Sequence, residues 1–168
     1  MSAILSPCLS YRYRLERELG MFGPVGAFLM VNPSTADAEL DDHTIRKVRG
    51  FASRLGWSRV IVGNVFAYRA TDVSELALVP DPIGPENSQH LSRMLMEADR
   101  VICAWGALQK LPERLRGQWR SVAQVAKELE KPLECLGTVK DGHPKHPLMV
   151  SYSVQVELWS PPDVAGNS

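Results

Sequence analysis

Four short, nearly continuous apolar runs constrain the fold of this chain more than any other feature of its sequence. They are residues 26–31, 60–66, 101–105 and 133–139. Continuous apolarity is typical of strands that are covered on both faces, whereas a strand exposed on one face alternates apolar and polar residues. The four runs therefore predict strands in the interior of a sheet.

Segments with helical spacing of apolar residues separate these runs. They are residues 45–55, 91–98 and 119–129. The first has Asp42 or Thr44 as a candidate N-cap and Gly56 as a stop. Strands that alternate with helices are typical of right-handed crossovers on a parallel sheet. We therefore predict an α/β fold, a three-layer sandwich whose mainly parallel central sheet has about four strands plus extended edge segments.

The two ends of the chain supply those edge segments. Residues 11–15 alternate by twos, which predicts a half-exposed edge strand or hairpin arm, and residues 148–159 are predicted to be extended. A length of 168 residues fits one domain. We predict a single domain over residues 1–159, followed by a loose, proline-containing tail at residues 160–168.

Composition excludes several classes of protein. The 19 basic and 19 acidic residues cancel, so the chain lacks the basic excess typical of nucleic-acid-binding domains. Basic residues still cluster at 46–59 and 110–120, where they form either solvated helix faces or a local nucleic-acid contact. The sequence contains no signal peptide pattern and no apolar stretch of membrane-spanning length, so we expect a cytoplasmic protein that does not contact a membrane.

Metal and cofactor motifs are not found in the sequence. The three cysteines form no CxxC pair, and Cys103 and Cys135 lie in apolar runs that predict burial. The phosphate-binding GxxxxGK[ST], the dinucleotide-binding GxGxxG and the hydrolase GxSxG patterns do not occur. Residues 41–43, Asp-Asp-His, resemble a metal trio, but adjacent residues at a helix start rarely point at one centre. We predict neither a metal nor a cofactor.

Unusual residues follow the ends of the four predicted strands. Open α/β sheets bind ligands beyond the carboxyl ends of their strands, so these residues mark the candidate site. They are Asn32, Pro33 and Ser34 after the first strand, Asn64, Phe66 and Tyr68 after the second, Trp105 and Gly106 after the third, and His143 and His146 after the fourth.

Each of these features also has a structural explanation. Asn32-Pro33 is a common turn initiator, and Gly106 allows a backbone turn. Histidines in a loop rich in lysine and glycine are often surface residues. Asn64, however, lies within an apolar run, where a buried amide must find hydrogen-bond partners. From the residues alone, both interpretations stay open.

Several motifs together resemble an uncharacterised family of bacterial and phage proteins. They are Asn-Pro-Ser-Thr-Ala-Asp at 32–37, the helix start at 41–45, residues 64–72, residues 82–87, Ala-Trp-Gly at 104–106, Leu-Gly at 136–137 and His-Pro-Leu at 146–148. The resemblance covers residues 10–159. More distantly, the layout is similar to the uracil-DNA glycosylase superfamily: a polar residue plus proline, an Asn-terminated strand, a strand leading to glycine, and a His-Pro loop.

Together the two resemblances imply a role in DNA repair or phage biology, and the second implies a mechanism. Asn32 would position the attacking water, Asn64 would bind the edge of a flipped-out base, and His146 would donate a hydrogen bond to the departing base. Phe66 or Tyr68 would supply a stacking surface. The implied enzyme hydrolyses the N-glycosidic bond of a deaminated or modified base in DNA.

The sequence departs from that pattern at the water-binding position. Asn32 stands where many glycosylases have a carboxylate, and the nearest acids are Asp37, Asp41 and Asp42. Two alternatives therefore stand beside the glycosylase: a non-catalytic module that binds nucleic acid or a nucleotide, and an enzyme of free nucleosides or nucleotides. The partner that we expect is DNA, single-stranded or with a flipped base, or a nucleotide. Between the two histidines we favour His146 because of its His-Pro-Leu context.

Overall fold

A computed structural model describes residues 1–34, 36–37 and 39–162 of the chain. The strands in this part are β1 Ser2–Leu5, β2 Arg12–Glu18, β3 Val25–Met30, β4 Arg59–Asn64, β5 Arg100–Cys103, β6 Leu133–Cys135 and β7 Glu157–Leu158. The helices are α1 His43–Arg54, α2 Asn87–Glu97 and α3 Trp119–Glu128. From β3 to β6, strands and helices therefore alternate, as the apolar patterns predict.

All seven strands belong to one mixed sheet in the order β1-β2-β4-β3-β5-β6-β7. The four central strands, β4, β3, β5 and β6, run parallel to one another, while β1, β2 and β7 pair antiparallel. The predicted parallel centre of four strands is confirmed. The whole sheet is larger than predicted because the segments flanking that centre also pair.

The N-terminal segment differs in part from the prediction. β2 is the arm of a β1–β2 hairpin, as expected, but it lies between β1 and β4 and is not an edge strand. The edge strand is β1, whose side chains alternate between exposed and half-buried. Residues 148–159 were predicted to be extended. In the structure residues 147–149 form a 3-10 turn, and strand pairing within 148–159 is limited to β7. A short, half-exposed strand leaves little hydrophobic signal in the sequence.

Helices cover both faces of the sheet, and β3 shows how. Phe28 and Met30 pack in one core with α1, whereas Ala27 and Leu29 pack in a second core with α2 and α3. Since successive side chains of a strand point to opposite faces, both sets of β3 side chains are buried. Full burial of a Phe or Leu contributes roughly 1.5–3 kcal/mol, which explains the continuous apolar run. Cys103 and Cys135 are buried as predicted.

The ends of α1 follow the sequence signals. Asp42 is the N-cap, and its Oδ1 atom accepts a hydrogen bond of 2.8 Å from the Ile45 N–H. Gly56 has a φ of +74°, a left-handed conformation that glycine adopts without strain and that ends the helix. Of the predicted tail, residues 163–168 lie outside the described residues. No helix in the described part of the chain has the length and apolarity needed to cross a bilayer.

A buried arginine on β2 ties the segment before α1 to the sheet. The Arg17 side chain is fully buried, and its Nε donates to Asp41 Oδ1 at 2.7 Å. Its other nitrogens donate to the backbone carbonyls of Glu16 and Asp37. Asp41 also accepts from Arg49 Nη1 at 2.7 Å. Burial alone would raise the pKa of Asp41, but the hydrogen bonds from Arg49 and Arg17 outweigh it and hold the pKa below its ordinary value.

We expect Asp41→Asn to lower the free energy of unfolding by about 3 kcal/mol at neutral pH, because it leaves the buried charge of Arg17 without a counter-ion. Since the pKa of Asp41 is depressed in the folded state, the advantage of the wild type is complete above the ordinary value of 3.8 and declines as the pH falls further. Urea unfolding of both proteins between neutral and acidic pH measures this difference in stability, with Glu113→Gln, at an exposed residue, as the control. Equal stability of Asp41→Asn and wild type at neutral pH would contradict the assignment.

Candidate functional site

A cavity of about 370 Å³ lies at the carboxyl ends of the parallel strands. Its volume is within the range of small-molecule sites, roughly 300–1,000 Å³. Apolar side chains from the sheet and α1 form much of its wall. The charged and polar side chains that line it include Arg12, Asn32, Ser34, Asp42, Asn64, Lys110 and His146.

The register of the parallel strands positions Asn64. Asn64 is the last residue of β4 and pairs with Met30, the last residue of β3. The Val65 N–H donates to the Met30 carbonyl at 2.9 Å, so the pairing continues beyond the strand ends. Buried Asn87, at the start of α2, donates from Nδ2 to the carbonyls of Asn64 and Val65 at 3.0 and 3.2 Å. The backbone that carries the Asn64 side chain is therefore held on two sides.

The side chain of Asn64 has no hydrogen-bond partner among the described residues. The residue is 1% exposed, and both its Oδ1 and Nδ2 atoms are buried without a partner. An unsatisfied buried polar group costs roughly 1–3 kcal/mol. Asn64 lines the cavity, and the unpaired donor and acceptor of its planar amide match a ligand that offers one acceptor and one donor side by side.

Asn32 is fixed differently. Its Nδ2 donates to the Ala70 carbonyl at 2.7 Å and to the Pro33 carbonyl at 3.1 Å. The Ala70 N–H donates back to the Pro33 carbonyl at 3.0 Å, which joins the two segments. Because the amide nitrogen is used in the structure, Oδ1 is the atom of Asn32 that can accept a hydrogen bond from a ligand or a water molecule.

His146 lines the cavity and uses one of its ring nitrogens within the protein. Its Nδ1 accepts a 3.2 Å hydrogen bond from the Leu148 N–H and caps the 3-10 turn of residues 147–149. Burial is the main cause that lowers the pKa of His146; the charge of Lys110 lowers it further and that of Asp42 opposes this. The ring is thus neutral at pH 7, and with Nδ1 as an acceptor its proton is on Nε2. A neutral Nε2–H donor results.

Gly106 brings the end of β5 against the histidine loop. Its φ is +80°, and its N–H donates to the Pro144 carbonyl at 2.9 Å. A Cβ at this position would lie 3.4 Å from the Cβ of His146. Any other residue would be strained by the left-handed backbone, while its Cβ would only touch His146.

One carboxylate, Asp42, is among the described residues that line the cavity. Its Oδ2 accepts a 2.5 Å hydrogen bond from Ser34 Oγ, while Oδ1 caps α1. The sequence indicated Asp42 as an N-cap and missed its place in the cavity. The signal was available, because the helix that follows a parallel strand starts at the edge where the strand ends.

His143 lies behind Trp105, which is part of the cavity wall. The Trp105 Nε1–H donates to His143 Nδ1 at 3.2 Å, and His143 packs edge-on against Trp119 with ring centroids 4.8 Å apart. Trp105 lines the cavity, whereas His143, 3% exposed, does not. Burial is also the main cause that lowers the pKa of His143. In the structure, His143 supports the wall and His146 faces the ligand space.

Three other candidates from the sequence lie away from the cavity. Phe66 is fully buried in the core beside α2 and α3, and Pro33 is buried in the turn that Ala70 holds. Tyr68 packs edge-on against Tyr11. None of these side chains belongs to the cavity lining. Thr35, within the Asn-Pro-Ser-Thr-Ala-Asp motif, lies outside the described residues.

The sequence profile of a family described as "Protein of unknown function (DUF1643)" matches residues 12–148. The chain belongs to this family. All residues that line the cavity of this DUF1643 protein lie within the matched range. No curated protein and no solved structure matches the chain significantly.

The described part of the DUF1643 protein contains no group of three or more His, Cys, Asp or Glu side chains placed to hold a metal ion. Asp41, in the Asp-Asp-His segment, binds Arg17 and Arg49 instead. Two cavity residues, Arg12 and Lys110, were not among the sequence candidates. They come from β2 and from a 3-10 turn, neither of which is the end of a parallel strand.

We expect the imidazole of His146 to titrate below 6.5, its ordinary value, because burial disfavours the charged ring. NMR titration of the histidine C–H signals measures this, and His146→Gln and His143→Gln assign the two buried rings. A pKa of His146 above 6.5 would mean that the ring is charged near pH 6 and would contradict the neutral Nε2–H donor.

Proposed function

We propose that this DUF1643 protein binds a nucleobase in the cavity and hydrolyses its N-glycosidic bond, as a DNA glycosylase of the uracil-DNA glycosylase type. The observation that carries the proposal is the buried amide of Asn64, which faces the cavity with neither of its polar atoms paired among the described residues. The arrangement of Asn32 and His146 around the same cavity supports it.

The amide of Asn64 fits the edge of a base. A side-chain amide forms two parallel hydrogen bonds with a base edge that carries one acceptor and one donor. Uracil and hypoxanthine, the deamination products of cytosine and adenine, each have a carbonyl oxygen beside a ring N–H. A base held in this way must first leave the DNA stack, which favours damaged or weakly paired bases.

His146 stabilises the leaving group in this proposal. Breaking the bond between C1′ and the base nitrogen leaves its electron pair on the base, so negative charge develops there. A fixed Nε2–H donor at that position stabilises the transition state, and losing one such donor costs on the order of 3 kcal/mol. The neutral ring suits this role because its proton is fixed on Nε2 by the Leu148 N–H.

Asn32 and Asp42 act on the water. Asn32 Oδ1 accepts a hydrogen bond from the water and orients it, while its amide nitrogen stays on the Ala70 carbonyl. An amide cannot take the proton of the water. The Asp42 carboxylate can, because each of its oxygens keeps a second lone pair beside the hydrogen bond that it already accepts. The water oxygen then bonds to C1′ as its proton passes to Asp42, and the departed base gains a proton from solvent.

A free nucleoside or nucleotide is the second candidate substrate. The equal numbers of acidic and basic residues favour a small ligand over the many phosphate contacts of a duplex. The same cavity would hold the base of either substrate, so both kinds of substrate are tested.

The test uses single- and double-stranded oligonucleotides with one uracil or hypoxanthine, plus uridine, inosine and their 5′-monophosphates. Release of free base is measured in single turnover. We expect release from at least one substrate, with a loss on the order of a hundredfold in Asn64→Leu and His146→Gln. His43→Gln, an exposed histidine outside the cavity, is the matched control and should keep full activity.

Asn64→Leu should also be at least as stable as the wild type, because it replaces an unsatisfied amide with an apolar side chain of similar size. Low activity in a stable variant separates a functional role from a structural one. Binding without release from any substrate would favour the non-catalytic module. Full activity in both Asn64→Leu and His146→Gln would overturn the site assignment.

A further inference from the structure

The guanidinium of Arg12 is buried without an ionic partner among the described residues. Arg12 is 2% exposed, and no carboxylate in the described part of the chain forms an ion pair with it. It makes one hydrogen bond there, from Nη1 to the Ala36 carbonyl, and its buried Nε has no partner. Because a guanidinium has five N–H donors and a full charge, this environment leaves it under-satisfied.

Arg17, five residues along the same strand, shows how this fold treats a structural arginine. It is also fully buried, yet it has the carboxylate of Asp41 at 2.7 Å and two backbone carbonyls. A buried charge without a counter-ion costs several kcal/mol. The carboxylate of Asp41 offsets that cost at Arg17, and no carboxylate of the described residues does so at Arg12.

Arg12 also differs from Arg17 in its location. Arg12 lines the cavity with Asn64 and Lys110, whereas Arg17 does not. Burial lowers the pKa of Arg12 to about 10, so the side chain still carries its charge at neutral pH. The charge of Asp42 favours that of Arg12 more than the charge of Asp37 does, but Asp42 forms no ion pair with Arg12 and accepts hydrogen bonds from Ser34 and the N-terminus of α1 instead.

The first turn of α1 adds to the positive potential of the same wall. Thr44 and Ile45 line the cavity, and α1 is a twelve-residue helix whose N-terminus carries partial positive charge. Among the described lining residues, two basic side chains thus stand against the single carboxylate of Asp42. A cavity of this kind favours an anionic ligand group.

We propose that Arg12 is the counter-ion site for a phosphate group, so that the ligand of this cavity is a nucleotide and not a neutral base or nucleoside. A guanidinium binds phosphate through parallel N–H···O hydrogen bonds, which would satisfy the donors that the protein leaves free. That the ligand carries a base rests on the proposed function, whereas the anion site rests on Arg12 alone. The phosphate is either the monoester of a free nucleotide or the diester of a DNA strand.

The first experiment tests the anion site without a base. Thermal unfolding is followed at constant ionic strength as chloride is replaced by inorganic phosphate, for the wild type, Arg12→Met and Lys127→Met, an exposed charge outside the cavity. We expect a saturable rise in Tm in the wild type and in Lys127→Met, and none in Arg12→Met. An equal rise in all three proteins would overturn the proposal.

Stability without phosphate gives a second readout that a structural arginine would not produce. Arg12→Met should be at least as stable as the wild type, because it removes a buried charge that the protein does not pair. Arg17→Met should be less stable, because it leaves Asp41 without a buried partner. A destabilisation of Arg12→Met as large as that of Arg17→Met would contradict the contrast between the two.

The second experiment identifies the source of the phosphate. Affinities are compared for uridine, uridine 5′-monophosphate and a uracil-containing single-stranded oligonucleotide. A gain of about tenfold or more from the phosphate, lost in Arg12→Met, supports the proposal. If the monophosphate shows the gain, the ligand is a free nucleotide; if only the oligonucleotide does, it is a strand. Equal affinities in Arg12→Met and wild type for all three probes would overturn the phosphate site and leave base recognition by Asn64 untouched.

Discussion

The parallel pairing of β3 with β4 and β5 is the interaction on which the site depends. β3 lies between these two strands, and their registers, Met30 with Asn64 and Leu29 with Cys103, bring three strand ends to one level. A slip by one residue would turn each strand's side chains to the opposite face, and Asn64 would leave the cavity for the other core. The packing of both faces of β3 fixes this register. The position of the site therefore depends on the two hydrophobic cores.

The sequence predicts the central strands of the sheet but not its edge strands. Strands buried on both faces are continuously apolar, and this signal identified β3, β4, β5 and β6 from the sequence. β1 and β7 carry no such signal, since β1 alternates between exposed and half-buried residues and β7 has two exposed residues. Their pairing depends on neighbours that are distant along the chain. For the same reason the sequence did not show that β2 lies inside the sheet.

The sequence likewise predicts some residues of the cavity and not others. Six candidates were chosen because each lies at or after the end of a parallel strand, and the structure brings all six to one cavity: Asn32, Ser34, Asn64, Trp105, Gly106 and His146. Arg12, Asp42 and Lys110 come from other kinds of element, so a rule based on strand ends passes over their place in the cavity. Only His146 of the two loop histidines lines the cavity. This depends on the conformation of the loop, in which His143 accepts a hydrogen bond from Trp105.

The central claim is that the unpartnered amide of Asn64 is the group that binds the ligand base. NMR can follow its side-chain NH₂ as free uracil or hypoxanthine, or an oligonucleotide containing either base, is added, with Asn64→Leu to assign the signals. We expect a saturable downfield shift of the Asn64 side-chain signals with at least one of these probes. The signals of Asn87, whose NH₂ is bound to backbone carbonyls, should stay in place. Unchanged Asn64 signals at saturating concentrations of every probe would contradict the central claim.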